Sequence, residues 1–62
     1  MNNNNIIIGA TYWSNDMRRV RVISEGEGFD GWFRCEEVVS GDSKHFNAER
    51  LCVRHPFTGE VA

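Results

Sequence analysis

Between Arg18 and Ser24 the chain alternates, with Val20 and Val22 on one side and Arg19 and Arg21 on the other. A period of two is what a half-buried strand requires. Upstream, Ile6 to Trp13 is apolar and β-branched, broken only by Gly9 and Ala10. It predicts a strand with a bulge or bend at that pair. Ser14-Asn15-Asp16 supplies turn chemistry between these two segments. Glu25 to Gly31 holds three glycines and reads as a loop. β character resumes from Gly31 to Val39, with Phe33 and Cys35 on one side and Trp32 and Arg34 on the other. Glu36-Glu37 interrupts that alternation and predicts a slip or bulge there.

Ser40-Gly41-Asp42-Ser43 predicts a hairpin turn leading into a short strand over Lys44 to Phe46. Asn47-Ala48-Glu49-Arg50 has the form of one helical turn capped by Asn47, and Leu51 to Arg54 follows as the last strand. The asparagine tract Asn2 to Asn5 offers no apolar side chain to bury, so residues 1–5 are expected to form a disordered N-terminal tract. Residues 6–55 then form the domain, and residues 56–62, opened by Pro56, a C-terminal tail. No window settles to a helical period of 3.6.

This order of elements resembles the SH3-like small barrel. The resemblance is carried by Arg19-Val-Arg-Val-Ile, Gly31-Trp-Phe-Arg-Cys and Phe46-Asn-Ala-Glu-Arg-Leu51. It implies an all-β fold, a small five-stranded SH3-like barrel with one short 3-10 turn before the last strand. The Ala-Leu-Tyr-Asp-Tyr type motif, the double Trp and the Pro-x-x-Tyr of signalling SH3 domains are absent, so proline-rich peptide recognition is not implied. The Val-Gln-Ile-Tyr strand of the type II dihydrofolate reductases, which share this barrel, is absent as well. An OB-like or open five-stranded sheet is the competing architecture.

Sixty-two residues, 40% hydrophobic and 26% charged, describe a single folding domain. A chain this short buries only about 60% of its unfolded surface, so its stability is marginal. Large rings offset this, and the core is expected to include Tyr12, Phe33 and Phe46 with the aliphatic strand residues. A net charge of −2 argues mildly against a dedicated nucleic-acid binder, which gains affinity from Lys and Arg, and equally against a DNA-mimicking polyanion. No apolar run approaches the length of a membrane-spanning helix, and Ile6 to Ile8 makes no signal peptide. Two cysteines without a secretion signal fit reduced thiols and a cytoplasmic protein.

Cys35, His45, Cys52 and His55 are the soft metal ligands, and Cys52-Val-Arg-His55 has ligand-like spacing. Cys35 and His45 are too far apart along the chain for the close pairs of a structural zinc site, so no metal and no cofactor is expected. Glu36 and Glu37, adjacent on a strand, point to opposite faces and make a poor acid/base pair. No catalytic residue emerges, and the chain reads as non-enzymatic.

The expected function is a protein-interaction module. Exposed aromatics beside arginine are what interface hot spots use, and Tyr12, Trp13, Phe29, Trp32 and Arg34 form the candidate partner-binding set. Tyr12 and Trp13 are adjacent, so one of them leaves the core unless a bulge intervenes. The partner is another protein or a second copy of the chain, with Ile6 to Ile8 supplying an edge strand to a homodimer. A short Met-initiated chain without an enzyme signature fits a regulator or inhibitor of a host protein from a phage or other mobile element. The alternative is a nucleic-acid-binding barrel in which Arg18, Arg19 and Arg21 form a basic strip beside Trp32. Pairing of these arginines with carboxylates, Glu36 or Glu37 above all, is the plainer expectation.

Overall fold

The alternation of Arg19 to Glu25 becomes the longest strand of the molecule. In the computed structural model, which describes residues 6–26 and 31–62, the strands are β1 Thr11–Trp13, β2 Arg19–Glu25, β3 Trp32–Glu37 and β4 Ser43–Asn47. They pair antiparallel in chain order as an open four-stranded sheet. A 3-10 turn, Ala48–Arg50, follows β4. The described residues thus make an all-β domain without an α-helix, and none of their helices is long and apolar enough to cross a membrane.

The described residues form four strands, where five were expected. Gly9 adopts a left-handed φ of +94° and reverses the chain ahead of β1, so Ile6 to Ala10 is a turn rather than a strand. Ile7 and Ile8 are exposed in it. Leu51 to Arg54 is not a regular strand either. Cys52 exchanges both backbone hydrogen bonds with Trp13, at 2.7 and 2.8 Å, and the chain then bends toward Pro56 before a second pair can form. The irregularity expected at Glu36-Glu37 lies instead in β2, where the register with β3 shifts between Val22 and Ser24. The expectations for residues 1–5 and for Phe29 fall outside the described residues.

Asn47 caps the 3-10 turn as expected, its side-chain oxygen accepting the Glu49 backbone N–H at 3.0 Å. The hairpin turn after β3 begins at Val38, two residues earlier than expected, and β4 runs one residue longer at each end. Gly26 permits a close approach: its N–H donates to the Trp32 carbonyl at 2.7 Å, and a Cβ there would meet that oxygen at 3.1 Å.

One face of the sheet carries the core. Register places Tyr12, Val20 and Glu37 in one row and Val22 beside Cys35 in the next, with Phe33 opposite Phe46. Tyr12, Val20, Val22, Cys35, Phe46 and Leu51 are buried together, and Ile6, Ala10 and Phe33 pack against them. Tyr12 keeps its polar end satisfied by accepting the Ile7 N–H at 2.9 Å. Removing a buried Phe costs about 3–5 kcal/mol, against a total stability of about 3–9 kcal/mol for a domain of this size. Phe46→Ala should therefore remove about half or more of the stability, read as a clearly lowered midpoint in chemical denaturation. Val39→Ala, at a side chain 88% exposed, should shift stability by less than about 0.5 kcal/mol.

Candidate functional site

The face opposite the core is where the sequence-derived candidates meet or part. Tyr12 and Trp13, being neighbours on a strand, point to opposite sides, yet both are buried, 6% and 8% exposed. Neither is a free surface ring. Tyr12 belongs to the core, and Trp13 is covered by the residues expected to form a tail.

Residues 53–62 return as a strap over β1. The strap closes on itself: the His55 N–H donates to the Glu60 carbonyl at 2.8 Å, the Gly59 N–H to the His55 carbonyl at 2.9 Å, and the Ala62 N–H to the Val53 carbonyl at 3.0 Å. His55 Nδ1 accepts the N–H groups of Phe57 and Thr58. Its ring meets the Trp13 indole edge-on, centroids 4.8 Å apart at 80°, a favoured aromatic geometry. The Trp13 Nε1–H donates to the Glu60 carbonyl at 2.7 Å, and the Thr11 hydroxyl to the Ala62 carbonyl at 3.1 Å. Arg19 lies over the indole, its guanidinium carbon 4.7 Å from the ring centroid, and pairs with the Glu60 carboxylate at 3.2 Å.

Arg18 goes elsewhere. It pairs with Glu37 at 3.0 Å, and the other carboxylate oxygen of Glu37 accepts the Ser40 hydroxyl at 2.8 Å. Glu37 therefore joins the two turns at one end of the sheet, and the Ser40 hydroxyl and then Arg18 hold its carboxyl below the usual range. In the first of those turns Ser14 is fully buried, accepts the Arg18 N–H and donates to Asp16, whose carboxyl that bond lowers. Met17 completes this turn at a φ of +65°, unusual for a residue with a side chain.

The basic strip of the alternative reading is not assembled, and the Arg18–Glu37 pair follows the plainer expectation. Arg18 and Arg19 each carry a carboxylate, and they leave β2 toward different partners. Arg21 is exposed and sits opposite Thr11 and Glu36 in the register. Glu36 and Glu37 face opposite sides, Glu36 exposed and Glu37 on the core side.

Trp32 and Arg34 share the side of β3 away from the core. Trp32 is half-buried opposite Asn47, and Arg34 is exposed between Ser24 and His45. Ser24, Glu25, Arg34 and His45 line an open depression there. A second open groove, lined by Trp13, Asp16, Met17, Arg18, Arg19, Glu37 and Val39, lies at the β1 end. Of its residues, Asp16, Met17, Glu37 and Val39 were not among the sequence candidates, nor was Glu60 of the strap. Met17 and Val39 come to line one groove from the β1–β2 and β3–β4 turns.

The soft ligands do not converge. Cys35 is buried in the core and His45 stands across the sheet on β4's exposed side, while His55 serves the strap. Among the described residues no three His, Cys, Asp or Glu side chains gather as a metal site. Both cysteines are free. Burial pushes the Cys35 thiol up to about 11, so it is protonated and unreactive at neutral pH.

Comparison with protein-family models, with curated proteins and with solved structures finds no match to this chain.

Two outcomes follow from these environments. In the folded protein a disulfide reagent such as Ellman's should modify the half-buried Cys52 and leave Cys35 untouched until denaturant is added. Equal labelling of both thiols under native conditions would contradict the burial of Cys35. Glu37 and Asp16 have folded pKa values below their ordinary 4.5 and 3.8, so the stability they contribute is present above those values. It is lost as pH falls through the lower folded values. Thermal melts between pH 7 and pH 2 should show this decline, and Glu37→Gln should flatten part of it.

Proposed function

We propose that this chain is a small, non-enzymatic protein-interaction module built on an SH3-like barrel and docking through the sheet face that carries Trp32 and Arg34. What supports the barrel reading is the order of elements: a four-strand meander, a 3-10 turn, and a return of the chain to β1 through the Trp13–Cys52 bridge. Free thiols fit a reducing compartment such as the cytoplasm.

The observation that carries the interaction reading is, among the described residues, the exposure of Arg34 and His45 at one end of a face whose other end is covered. The face away from the core is roofed at Trp13 by the strap. At the other end Arg34 and His45 stand exposed beside the half-buried ring of Trp32. A tryptophan rim with an adjacent guanidinium is the chemistry that interface hot spots favour. The nucleic-acid alternative is less well supported, because two of the three arginines it needs are already engaged by Glu37 and Glu60.

Arg34 gives the cleaner test, since an exposed side chain changes stability by less than about 0.5 kcal/mol, whereas Trp32 also packs. Tagged wild-type chain should retain a protein from host lysate after nuclease treatment. Arg34→Glu should lose it with an unchanged melting curve, and Trp32→Ala should lose it as well. Retention that survives Arg34→Glu would remove this face, and retention abolished by nuclease would favour the nucleic-acid reading.

A further inference from the structure

We propose that Thr11, Trp13 and Arg19 form a second docking site, for an extended acidic peptide of a partner protein, and that the strap occupies it as an intramolecular stand-in. The site is separate from the Trp32–Arg34 face.

The strap shows the chemistry that the site accepts. Beside the edge-on contact of the His55 ring with the Trp13 indole, its polar contacts through side chains are the Glu60 carbonyl on Trp13 Nε1–H, the Ala62 carbonyl on the Thr11 hydroxyl, and the Glu60 carboxylate on Arg19. The first two of these polar contacts use backbone carbonyls two residues apart, a spacing that any extended peptide presents on one side. The third requires an acid. Together they describe an extended segment with a carboxylate where Glu60 stands.

The strap fills the site incompletely. Glu60 takes only Nη2 of Arg19, while Arg19 Nε is buried and makes no hydrogen bond among the described residues. A carboxylate placed side-on would satisfy both nitrogens, and bidentate pairing is the stronger form. The ion pair is also open to solvent, its side chains 35% and 61% exposed, which makes it weak. Val53, Phe57 and Val61 of the strap point to solvent, 60%, 82% and 55% exposed, instead of anchoring it. Beyond the strap, Trp13 and Arg19 continue into the open groove with Met17, Arg18 and Val39. That gives a longer peptide apolar walls from Met17 and Val39, while Asp16 and Glu37 also line the groove and Glu37 holds Arg18, so Arg19 is the guanidinium that meets the peptide's carboxylate.

The test uses the full chain labelled with nitrogen-15 and a blocked peptide, Thr-Gly-Glu-Val-Ala, copying residues 58–62. The Trp13 indole N–H resonance should move as peptide is added. Loosening the strap with Glu60→Gln should tighten peptide binding about two- to fivefold, the worth of an exposed ion pair. Arg19→Gln should weaken it about tenfold or more, as loss of a charged hydrogen bond does. Replacing Glu by Gln in the peptide should do the same, which keeps the result readable if Arg19→Gln fails to fold. An indole resonance unmoved at millimolar peptide in both wild type and Glu60→Gln would overturn the proposal. So would binding no tighter in Glu60→Gln, shifts confined to Arg34 and His45, or an indole shift driven by protein concentration alone. The last outcome would assign the site to the strap of a second copy.

Discussion

Two adjacent aromatic rings on one short strand impose the constraint that organises this domain. Alternation sends Tyr12 and Trp13 to opposite faces of β1, and burying both demands cover on both sides of a single sheet. The meander supplies one cover, where Val20, Val22, Cys35 and Phe46 close over Tyr12. The strap supplies the other, with His55 against the indole edge and Glu60 on its N–H. A small domain gains disproportionately from a buried large ring. The cost is that, among the described residues, eight large apolar side chains, Phe57 and Val39 foremost, stay exposed.

The polar groups follow the same division. At the core-side end, Glu37 links Arg18 and Ser40 and so ties the β1–β2 turn to the β3–β4 turn. On the other side, Glu60 links Arg19, and through its carbonyl Trp13, to the strap. Each arginine of the Arg18-Arg19 pair is thereby committed to a different face. That explains why a basic run in the sequence does not become a basic surface.

What the sequence disclosed is what local physics decides. Val20 and Val22 on β2, Phe33 and Cys35 on β3, the Asn47 cap and the Ser14-Asn15-Asp16 turn all depend on neighbours within a few residues, and all were legible. The strap was not. Its key contact joins Trp13 to Glu60 across 47 positions, and its apolar residues face water, so no periodic pattern marks it. The fate of Glu36-Glu37 was misjudged for a similar reason. Glu37 can point to the core side without a bulge because Arg18 arrives from the β1–β2 turn, 19 positions away, to receive it beside Ser40 of the turn that follows. Ile6 to Trp13 looked like one strand because its composition is apolar, but a left-handed Gly9 outweighs composition. Of the candidate site, Trp32 and Arg34 fell on one face as alternation required, whereas one of Tyr12 and Trp13 was expected to leave the core and neither does, because the cover of Trp13 lies far along the chain.

The central claim is that the strap seals Trp13, and hydrogen exchange at its indole Nε1–H tests this most directly. With Trp32→Phe leaving Trp13 as the lone indole, the account predicts exchange well below the free-indole rate. It also predicts weak quenching of the Trp13 emission by acrylamide, both in the intact chain. An indole N–H that exchanges at the free rate and a ring fully open to quencher would show that the strap does not cover β1, and the two-sided packing described here would be wrong.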